Sequence, residues 1–228
     1  MIYRGQLKVP NVRFINDDYR NHINAIASIG EVVVVTDPPF NIGYHYKGYA
    51  DRMPEQEYMQ MLTEIVTMFP SVIIHYPEQL HKLSIATGTA PQKVVSWVYN
   101  SNTAKQHRDI GWYGITPTFK NAWQPYKNPN DRRIQQRMAE GARGGRMYDW
   151  WNVNQVKNVS KDKTAHPCQM PLEVMKNIIS TLPDNSVIFD PFMGSGTTAL
   201  ACIELGYDFI GCEISQEYYN IAKARINA

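Results

Sequence analysis

The chain alternates short runs of apolar, β-branched residues with longer amphipathic stretches. In the run 32–36 every residue is β-branched, which is typical of a strand buried on both faces. Stretches with apolar residues three and four positions apart predict helices instead. The pattern predicts strands over residues 12–15, 32–36, 71–75, 93–99, 186–189 and 209–212, and helices over 18–28, 54–69, 171–182, 197–205 and 215–226.

Strands that alternate with helices predict an α/β fold, in which a mostly parallel sheet is doubly wound with helices on both faces. Such sheets bind ligands beyond the carboxyl ends of their strands. Asp37 and Asp190 each directly follow a predicted strand, so we expect both side chains to share one cleft. Between residues 101 and 160 the periodic pattern gives way to Gly, Pro, Asn and aromatic residues. We interpret 1–228 as a single domain with 101–160 as an inserted recognition region.

The inserted region concentrates positive charge and aromatic rings. The 228-residue chain has a formal net charge of +2, yet residues 101–160 hold ten Lys or Arg against four Asp or Glu, with four of the five tryptophans. Clustered cations and flat rings favour nucleic acid as the partner. A solvated basic face over a small aromatic subcore is the alternative. For nucleic acid, the candidate contacts in this region are Arg132, Arg133, Arg143 and Arg146.

Other features narrow the class of protein. The apolar runs are far shorter than a membrane span, and the amino terminus lacks the pattern of a signal peptide. Cys168, Cys202 and Cys212 are odd in number and form no Cys-x-x-Cys pair, which favours unpaired thiols in a reducing compartment. We therefore expect a cytoplasmic protein that has no membrane partner and no metal site.

A glycine-rich turn, Gly194-Ser195-Gly196, joins a predicted strand to a predicted helix. Glycines let a ligand approach the backbone closely, and the first turn of the helix offers free N–H groups. Glu213 follows the next predicted strand, where an acid commonly holds ribose hydroxyls. Gly194, Gly196 and Ala199 also fit the dinucleotide pattern G-x-G-x-x-A, and a tight turn without a ligand is a further alternative. No Gly-Lys-Ser/Thr follows, which disfavours a phosphate-binding P-loop.

The segment Asp37-Pro38-Pro39-Phe40 decides between these ligands. Its carboxylate and a backbone carbonyl can accept hydrogen bonds from a planar exocyclic amine, while its ring stacks on the base that carries the amine. A nicotinamide cofactor does not need such a group at a neighbouring strand tip. A methyl donor such as S-adenosylmethionine does need it when the acceptor is an amine on a base. The two segments together therefore favour S-adenosylmethionine as the cofactor.

Three segments of the chain resemble the amino-methylating DNA methyltransferases of the permuted β group. Asp37-Pro38-Pro39-Phe40 is similar to their catalytic D-P-P-Y/F motif, residues 192–196 to their F-x-G-x-G cofactor motif, and residues 166–171 to their H-P-x-Q-K-P segment. The resemblance covers most of the chain outside 101–160. Phe40 replaces the commoner Tyr and keeps the ring face. Met170 replaces the commoner Lys, so any contact from that Lys to the donor carboxylate is absent.

The resemblance implies a Rossmann-like methyltransferase fold: a seven-stranded sheet with an antiparallel edge strand and a circularly permuted order of motifs. It implies methyl transfer from S-adenosylmethionine to the N6 amine of adenine in double-stranded DNA, with base flipping. N4-cytosine methylation is an alternative, although that group more often carries Ser where Asp37 stands. An inactive fold that only binds nucleic acid is another. The usual setting is a bacterial cell or its virus, in restriction–modification or phage association, and members often form homodimers.

The resemblance also assigns roles by motif position. Asp37, Pro38, Pro39 and Phe40 would form the catalytic segment. The cofactor would be held by Asp17, His166, Gln169, Asp190, Phe192, Gly194, Gly196, Thr197, Glu213 and Ile214. Asp17 has an alternative role as the N-terminal cap of a helix.

A loop rich in tyrosine and basic residues follows the catalytic segment. Asn41 is expected to shape the turn and to contact DNA. Tyr44 and Lys47 are expected to close over the flipped base and the phosphates. The alternative is a disordered surface loop with incidental tyrosines.

Overall fold

The computed structural model describes residues 9–46, 49–157, 160 and 163–227. The strands are β1 (Val12–Ile15), β2 (Val32–Thr36), β3 (His45–Tyr46), β4 (Tyr49–Ala50), β5 (Ser71–His75), β6 (Lys93–Val98), β7 (His107–Tyr113), β8 (Trp123–Gln124), β9 (Gly145–Arg146), β10 (Trp150–Asn152), β11 (Val187–Asp190) and β12 (Asp208–Cys212). The α-helices are α1 (Ile23–Ala27), α2 (Glu55–Met68), α3 (Pro77–Thr87), α4 (Arg132–Ala139), α5 (Leu172–Ile179), α6 (Thr197–Leu205) and α7 (Gln216–Ile226).

The main sheet has the strand order β1-β12-β11-β2-β5-β7-β6-β10 and is covered by helices on both faces. Alternate residues of a strand point to opposite faces. In β2, Val33 and Val35 belong to the apolar cluster that contains α5 and α6, whereas Val32 and Val34 belong to the cluster that contains α1, α2 and α3. All five residues of β2 are buried. The doubly wound α/β fold expected from the sequence is therefore confirmed.

Two details of the sheet correct the expectation. The described residues form eight strands of the main sheet rather than seven, because β10 pairs in parallel with β6 at one edge. The antiparallel strand is β7, and it lies inside the sheet between β5 and β6 rather than at the edge. The other neighbouring pairs of the sheet are parallel.

The region 101–160 is not an insertion throughout, because its two ends belong to the core. β7 and β10 are strands of the main sheet. Trp112 is fully buried, and Trp151 packs edge-on against it with 6.4 Å between ring centroids. The sequence of β7 begins with polar residues and has Gly111 in its middle, which hides the periodicity of a strand. The longest segment of this region outside the main sheet is residues 114–149, which carry β8, α4 and β9.

Most other boundaries agree with the sequence pattern. β1, β2, β5 and α6 have the predicted bounds, and the predicted helix over 18–28 is divided into a 3-10 turn at Tyr19–Asn21 and the short α1. α3 has no counterpart among the predicted helices, although Pro77 at its first turn and Gly88 after its end are common helix boundary signals. Within the described part of the chain, no helix is both long enough and apolar enough to cross a bilayer.

Candidate active site

Asp37 and Asp190 lie side by side because their strands are neighbours. β2 and β11 pair in parallel, so their carboxyl ends meet at the same edge of the sheet. The hydroxyl of Thr36 donates a hydrogen bond to Asp190 Oδ1 at 2.8 Å. Both carboxylates line one cavity together with Gly194. The catalytic and glycine-rich segments therefore share a cleft, as their positions at strand ends predict.

Two acids fix the glycine-rich turn. Asp190 accepts a hydrogen bond from the Thr198 hydroxyl at 2.6 Å and another from a backbone N–H of the turn at 3.1 Å. The two oxygens of Glu213 accept from the N–H groups of Gly194 (2.9 Å) and Ser215 (2.8 Å). Burial raises the pKa of Asp190 to about 6 and also raises the pKa of Glu213, because these hydrogen bonds offset only part of the lost hydration. The turn is thus anchored by its own protein contacts.

The imidazole of His166 covers Gly194. Gly194 has φ +53°, and a methyl group on its α-carbon would lie 3.0 Å from His166 Nε2, so only glycine fits while His166 stays in place. The His166 ring is buried, packs edge-on against Tyr218 at 4.4 Å, and has no hydrogen-bond partner for Nδ1 among the described residues. Burial, aided by the charge of Lys163, lowers the pKa of His166 to about 4. The neutral ring therefore offers one unpaired nitrogen beside the cavity.

Apolar side chains and a carboxylate line the other end of the cavity. Ile214 is 51 % exposed there, and Phe192 stands edge-on to Tyr19 with 5.2 Å between ring centroids. Asp17 also lines the cavity and accepts the Asp18 N–H at 2.8 Å. The N-cap of the first helical turn is Asp18, so the alternative role of Asp17 as the cap is wrong. An apolar slot beside a carboxylate suits a flat heteroaromatic ring that carries an amino group.

Most of the predicted cofactor residues line this cavity: Asp17, His166, Asp190, Phe192, Gly194, Thr197, Glu213 and Ile214. Gln169 and Gly196 are outside that set. Gln169 instead accepts the N–H of Thr164 at 2.7 Å and closes the loop in front of it. Gly196 has φ +74°, and a methyl group there would lie 3.0 Å from Cβ of Ala222. The structure thus gives Gly196 a packing role, which lets α6 approach α7.

Asp37 is a largely buried carboxylate, with 14 % of its side chain exposed, and it has one unused oxygen. Its Oδ2 lies 3.3 Å from Nη1 of Arg108, and its Oδ1 has no hydrogen-bond partner among the described residues. Burial raises the pKa of Asp37 to about 6; Arg108 acts in the opposite direction, and Asp190 adds to the rise. At neutral pH the carboxylate is therefore ionised, and its second oxygen can still accept a hydrogen bond. A buried polar atom without a partner is uncommon, and an N–H donor on a ligand would satisfy it.

Phe40 is held between two side chains. One face of its ring stacks on His75, with 4.2 Å between ring centroids and 18° between the planes. The guanidinium carbon of Arg108 lies over the ring at 4.6 Å from the centroid. Because His75 covers one face of the ring, Arg108 must cover the opposite face. Phe40 is only 7 % exposed. The ring has no open face, so the expected stacking on a base requires a neighbour to move.

A buried hydrogen-bond chain fixes the backbone of the catalytic segment. The Tyr58 hydroxyl donates to the Pro39 carbonyl at 2.7 Å and accepts from His75 Nε2 at 2.6 Å. The ring proton of His75 is on Nε2 because Nδ1 accepts the N–H of Tyr76 at 2.7 Å. Burial, with a smaller contribution from the charge of Arg108, lowers the pKa of His75 to about 3. The chain is therefore neutral and directional, and it ends at the catalytic segment.

The loop after the catalytic segment is built around Asp51. This carboxylate is 2 % exposed and accepts the N–H groups of Asn41 (2.7 Å), Ile42 (3.1 Å) and Tyr44 (3.0 Å). The side-chain amide of Asn41 bonds both the N–H and the carbonyl of Met53. The described part of the loop is thus tied to the fold, which disagrees with the alternative of a disordered segment.

The residues of this loop that were predicted to contact DNA have different surroundings. The amide of Asn41 is engaged within the fold, so the structure confirms only its role in shaping the turn. Tyr44 is 40 % exposed, and its ring lies 4.9 Å from that of Tyr46, which lines the cavity. Lys47 lies outside the described residues. The contacts of all three predicted residues with DNA stay predictions.

Comparison with known proteins agrees with this geometry. Residues 72–224, more than half of the chain, match the model of the N6/N4 methyltransferases, a family described as DNA methylase. The chain belongs to the DNA methylase family. Among its curated relatives, the type II methyltransferase M.BglII of Bacillus subtilis is 28 % identical over 246 residues, which cover 92 % of this chain and 67 % of that protein. The DNA adenine methyltransferase YhdJ of Escherichia coli K12 is 24 % identical over 243 residues, covering 90 % and 81 %.

Solved structures share the fold of this DNA methylase. The M1.HpyAVI–SAM complex superposes with a TM-score of 0.63 at 20 % identity, covering 95 % of this chain and 100 % of that one. The PvuII DNA methyltransferase, which is cytosine-N4-specific, superposes with a TM-score of 0.69 at 14 % identity, covering 96 % and 87 %. The Rossmann-like methyltransferase fold that the sequence motifs imply is thereby confirmed.

The arginines of the methylase that were predicted to contact DNA are exposed on the segment 114–149. Arg132 and Arg133 begin α4, a helix in which no residue is buried. Arg146 lies in β9, which pairs with β8, and Arg143 precedes it on the surface. Arg146 also lines a shallow groove with Trp123. These positions are accessible to phosphates, and the contacts themselves stay predictions.

Sequence reasoning missed three residues of the methylase site, which are Tyr58, His75 and Arg108. His75 ends β5, the strand beside β2, so the strand order would have placed it near Phe40. Arg108 was counted with the basic insertion because β7 was not recognised as a strand. Tyr58 has no signal in the sequence, because a tyrosine on the buried face of a helix is ordinary core.

Proposed function

We propose that this DNA methylase transfers a methyl group from S-adenosylmethionine to the N6 amine of adenine in double-stranded DNA. One observation carries the proposal: Asp37, with its unused acceptor oxygen, and the glycine-rich turn at Gly194 line the same cavity. The acceptor suits an amine that must donate hydrogen bonds. The turn suits the nucleoside-bearing donor that the amine attacks.

The cavity wall fits S-adenosylmethionine. Each oxygen of Glu213 accepts a single backbone N–H and so retains a lone pair for a ribose hydroxyl. Ile214 and Phe192 present apolar surface to the adenine ring, with the carboxylate of Asp17 near its amine. His166 Nδ1 is unpaired and buried, which suits the polar methionine end. When bound, the donor supplies a methyl group that its sulfonium already activates.

The residues of the chain act on the acceptor amine. Its lone pair is delocalised into the ring of the base, so the amine is a poor nucleophile. Asp37 Oδ1 and the Pro38 carbonyl would take its two N–H groups and favour a pyramidal nitrogen, with the lone pair directed at the methyl group. Tyr58 holds the adjacent Pro39 carbonyl and so orients the segment. Rate enhancement then comes from positioning and electrostatics.

Asp37, as the acceptor of an N–H group, would also receive the proton that the amine must lose after the N–C bond has formed. A pKa of about 6 for Asp37 makes the carboxylate ionised at neutral pH and able to take that proton and release it to water. The same oxygen that orients the amine therefore serves as the proton acceptor.

The target base must leave the duplex, because its amine is inaccessible inside the stack. Flipping costs a few kcal/mol. Stacking on Phe40 would offset about 1–3 kcal/mol of that cost. Tyr44 and Tyr46 at the mouth of the cavity offer further ring faces. Lys47, Asn41 and the exposed arginines 132, 133, 143 and 146 are assigned to the DNA surface because a basic, accessible face suits the phosphate backbone.

Adenine is favoured over cytosine by two observations. The resemblance associates Asp at position 37 with adenine and Ser with cytosine, and the relative YhdJ is named a DNA adenine methyltransferase. N4-cytosine methylation is the second candidate. It is supported by the likeness to the cytosine-N4-specific PvuII enzyme and by the similar exocyclic amine of cytosine.

Transfer of an isotopically labelled methyl group to genomic DNA tests the proposal. The DNA is digested to nucleosides, and mass spectrometry locates the label. We expect label in N6-methyldeoxyadenosine. Label in N4-methyldeoxycytidine would establish the second candidate. An enzyme that binds the donor in calorimetry but labels no DNA would refute methyl transfer altogether.

The variant Asp37→Ala tests the role of the carboxylate. We expect it to abolish transfer and to leave donor binding nearly intact, because the donor contacts lie around Gly194 and Glu213. Asp184→Ala is the matched control, since Asp184 is an exposed carboxylate outside the cavity wall. Transfer by Asp37→Ala at a rate close to that of Asp184→Ala would end the proposed role.

A further inference from the structure

Arg108 contacts both side chains that the proposed mechanism assigns to the target base, Asp37 and Phe40. Its Nη1 lies 3.3 Å from Asp37 Oδ2, and its flat guanidinium lies over the Phe40 ring at 4.6 Å. An adenine amine is likewise a planar N–H donor attached to a flat group. On Asp37 the guanidinium holds Oδ2 and the amine would take Oδ1, but both groups need the same face of Phe40, so they cannot occupy the site at once.

The surroundings of Arg108 leave no room for a base beside it. Its side chain is 16 % exposed, lies 5.3 Å from the Trp97 ring centroid, and is near Tyr99. Because His75 covers the opposite face of Phe40, the guanidinium occupies the one face on which a base could stack. The side chain must therefore move before a base can stack on Phe40.

The contacts that hold Arg108 are weak for a buried arginine. Charge-assisted N–O hydrogen bonds are typically about 2.7–2.9 Å long, and strong arginine pairs are bidentate. Arg108 has a single 3.3 Å contact with Asp37, a 3.7 Å contact with the sulfur of Met170, a side-chain hydrogen bond with Tyr99, and a buried Nε without a partner among the described residues. A pair with this geometry is easily exchanged for a better donor.

We propose that Arg108 is a placeholder for the target base. Its guanidinium occupies the site on Asp37 and Phe40 until a flipped base displaces it. This inference rests on the proposed function. In the DNA-free enzyme the guanidinium neutralises the carboxylate and keeps water away from it. When the base arrives, its amine takes the free oxygen of Asp37 and its ring takes over the face of Phe40 that the guanidinium covered.

The test compares wild-type enzyme with Arg108→Met on a duplex that keeps the target adenine and has 2-aminopurine in place of the base beside it. The target position is first mapped by sequencing DNA that the wild-type enzyme has methylated. The fluorescence of 2-aminopurine rises when the target adenine beside it leaves the stack. Because Arg108→Met removes a competitor of the base, we expect a flipped-to-stacked ratio about fivefold higher, the size of a weak ion pair. Measurement at about pH 8.5 keeps Asp37 ionised without its cation.

The control is Arg13→Met, which removes the same charge from an exposed position on β1 at the far edge of the sheet. The flipped-to-stacked ratio of Arg13→Met should equal that of the wild-type enzyme. A ratio for Arg108→Met that is unchanged or lower overturns the placeholder and makes Arg108 a permanent wall of the site. If Arg108→Met does not bind the donor, Arg108→Leu is measured, which also lacks an N–H donor; the same increase is expected, and an unchanged or lower ratio again overturns the placeholder.

The outcome separates this inference from the proposed function. If the wild-type enzyme methylates no DNA, the proposed function fails, and with it the placeholder. If the wild-type enzyme methylates and flips its target but the Arg108 variants flip no more of it, only the placeholder fails.

Discussion

Replacing Tyr58 with Phe tests whether the buried hydrogen-bond chain positions the catalytic segment. The change removes one hydroxyl, which bonds the Pro39 carbonyl at 2.7 Å and His75 Nε2 at 2.6 Å. A buried polar group that loses its partner costs about 1–3 kcal/mol. His75 is fully buried and incurs most of that cost, whereas Pro39 is partly exposed and incurs less. We expect the free energy of unfolding to fall by about 3 kcal/mol.

The same change should slow methyl transfer, because the Pro39 carbonyl loses its anchor while the ring of Phe40 stays between its neighbours. We expect kcat to fall about tenfold, which corresponds to about 1.4 kcal/mol. Donor binding should be unchanged, because Tyr58 is not part of the cavity wall. Urea unfolding, initial rates at saturating donor, and calorimetry of donor binding measure the three quantities.

Tyr113→Phe is the matched control for this variant. Its hydroxyl is also buried, but it bonds the Leu80 carbonyl at 3.2 Å, away from the cavity. It should lose about 1 kcal/mol of stability and keep its kcat. A Tyr58→Phe enzyme that is destabilised but keeps the kcat of the control would refute the positioning role. The buried hydrogen-bond chain would then have a purely structural role.

Three further predictions concern the carboxylate, the glycine turn and the DNA surface. Because the pKa of Asp37 is raised to about 6, its charge is present above that pH and lost below it; the transfer rate should fall about tenfold from pH 7 to pH 5, and a flat pH–rate profile would contradict this. Gly194→Ala should weaken donor binding in calorimetry, because its methyl group would meet His166 at 3.0 Å. Gly206→Ala, with a positive φ but nothing within 4 Å, should bind the donor normally despite some loss of stability. Arg132→Ala with Arg133→Ala should reduce the slope of log affinity against log salt by about 2, and an unchanged slope would move the DNA surface elsewhere.

The parts of the fold that could be predicted are those in which local sequence carries a strong period or a recognisable motif. β2 is all β-branched, and α6 follows a glycine-rich turn, so both had clear bounds. β7 was not recognised because it starts with polar residues and holds Gly111 at its centre. Its apolar half faces the core only because β5 and β6 lie on either side, and such long-range pairing leaves no local period.

The sequence by itself determined that a carboxylate at position 37 and a glycine turn near position 194 each follow the end of a strand in a mostly parallel sheet, because strand runs and turn residues are local features. Only the tertiary structure decided that Arg108 and His75 enclose the ring of Phe40. Arg108 lies 71 positions from Asp37 along the chain, and the order of strands in the sheet brings them together. That order is set by burial over the whole core, which no short segment encodes.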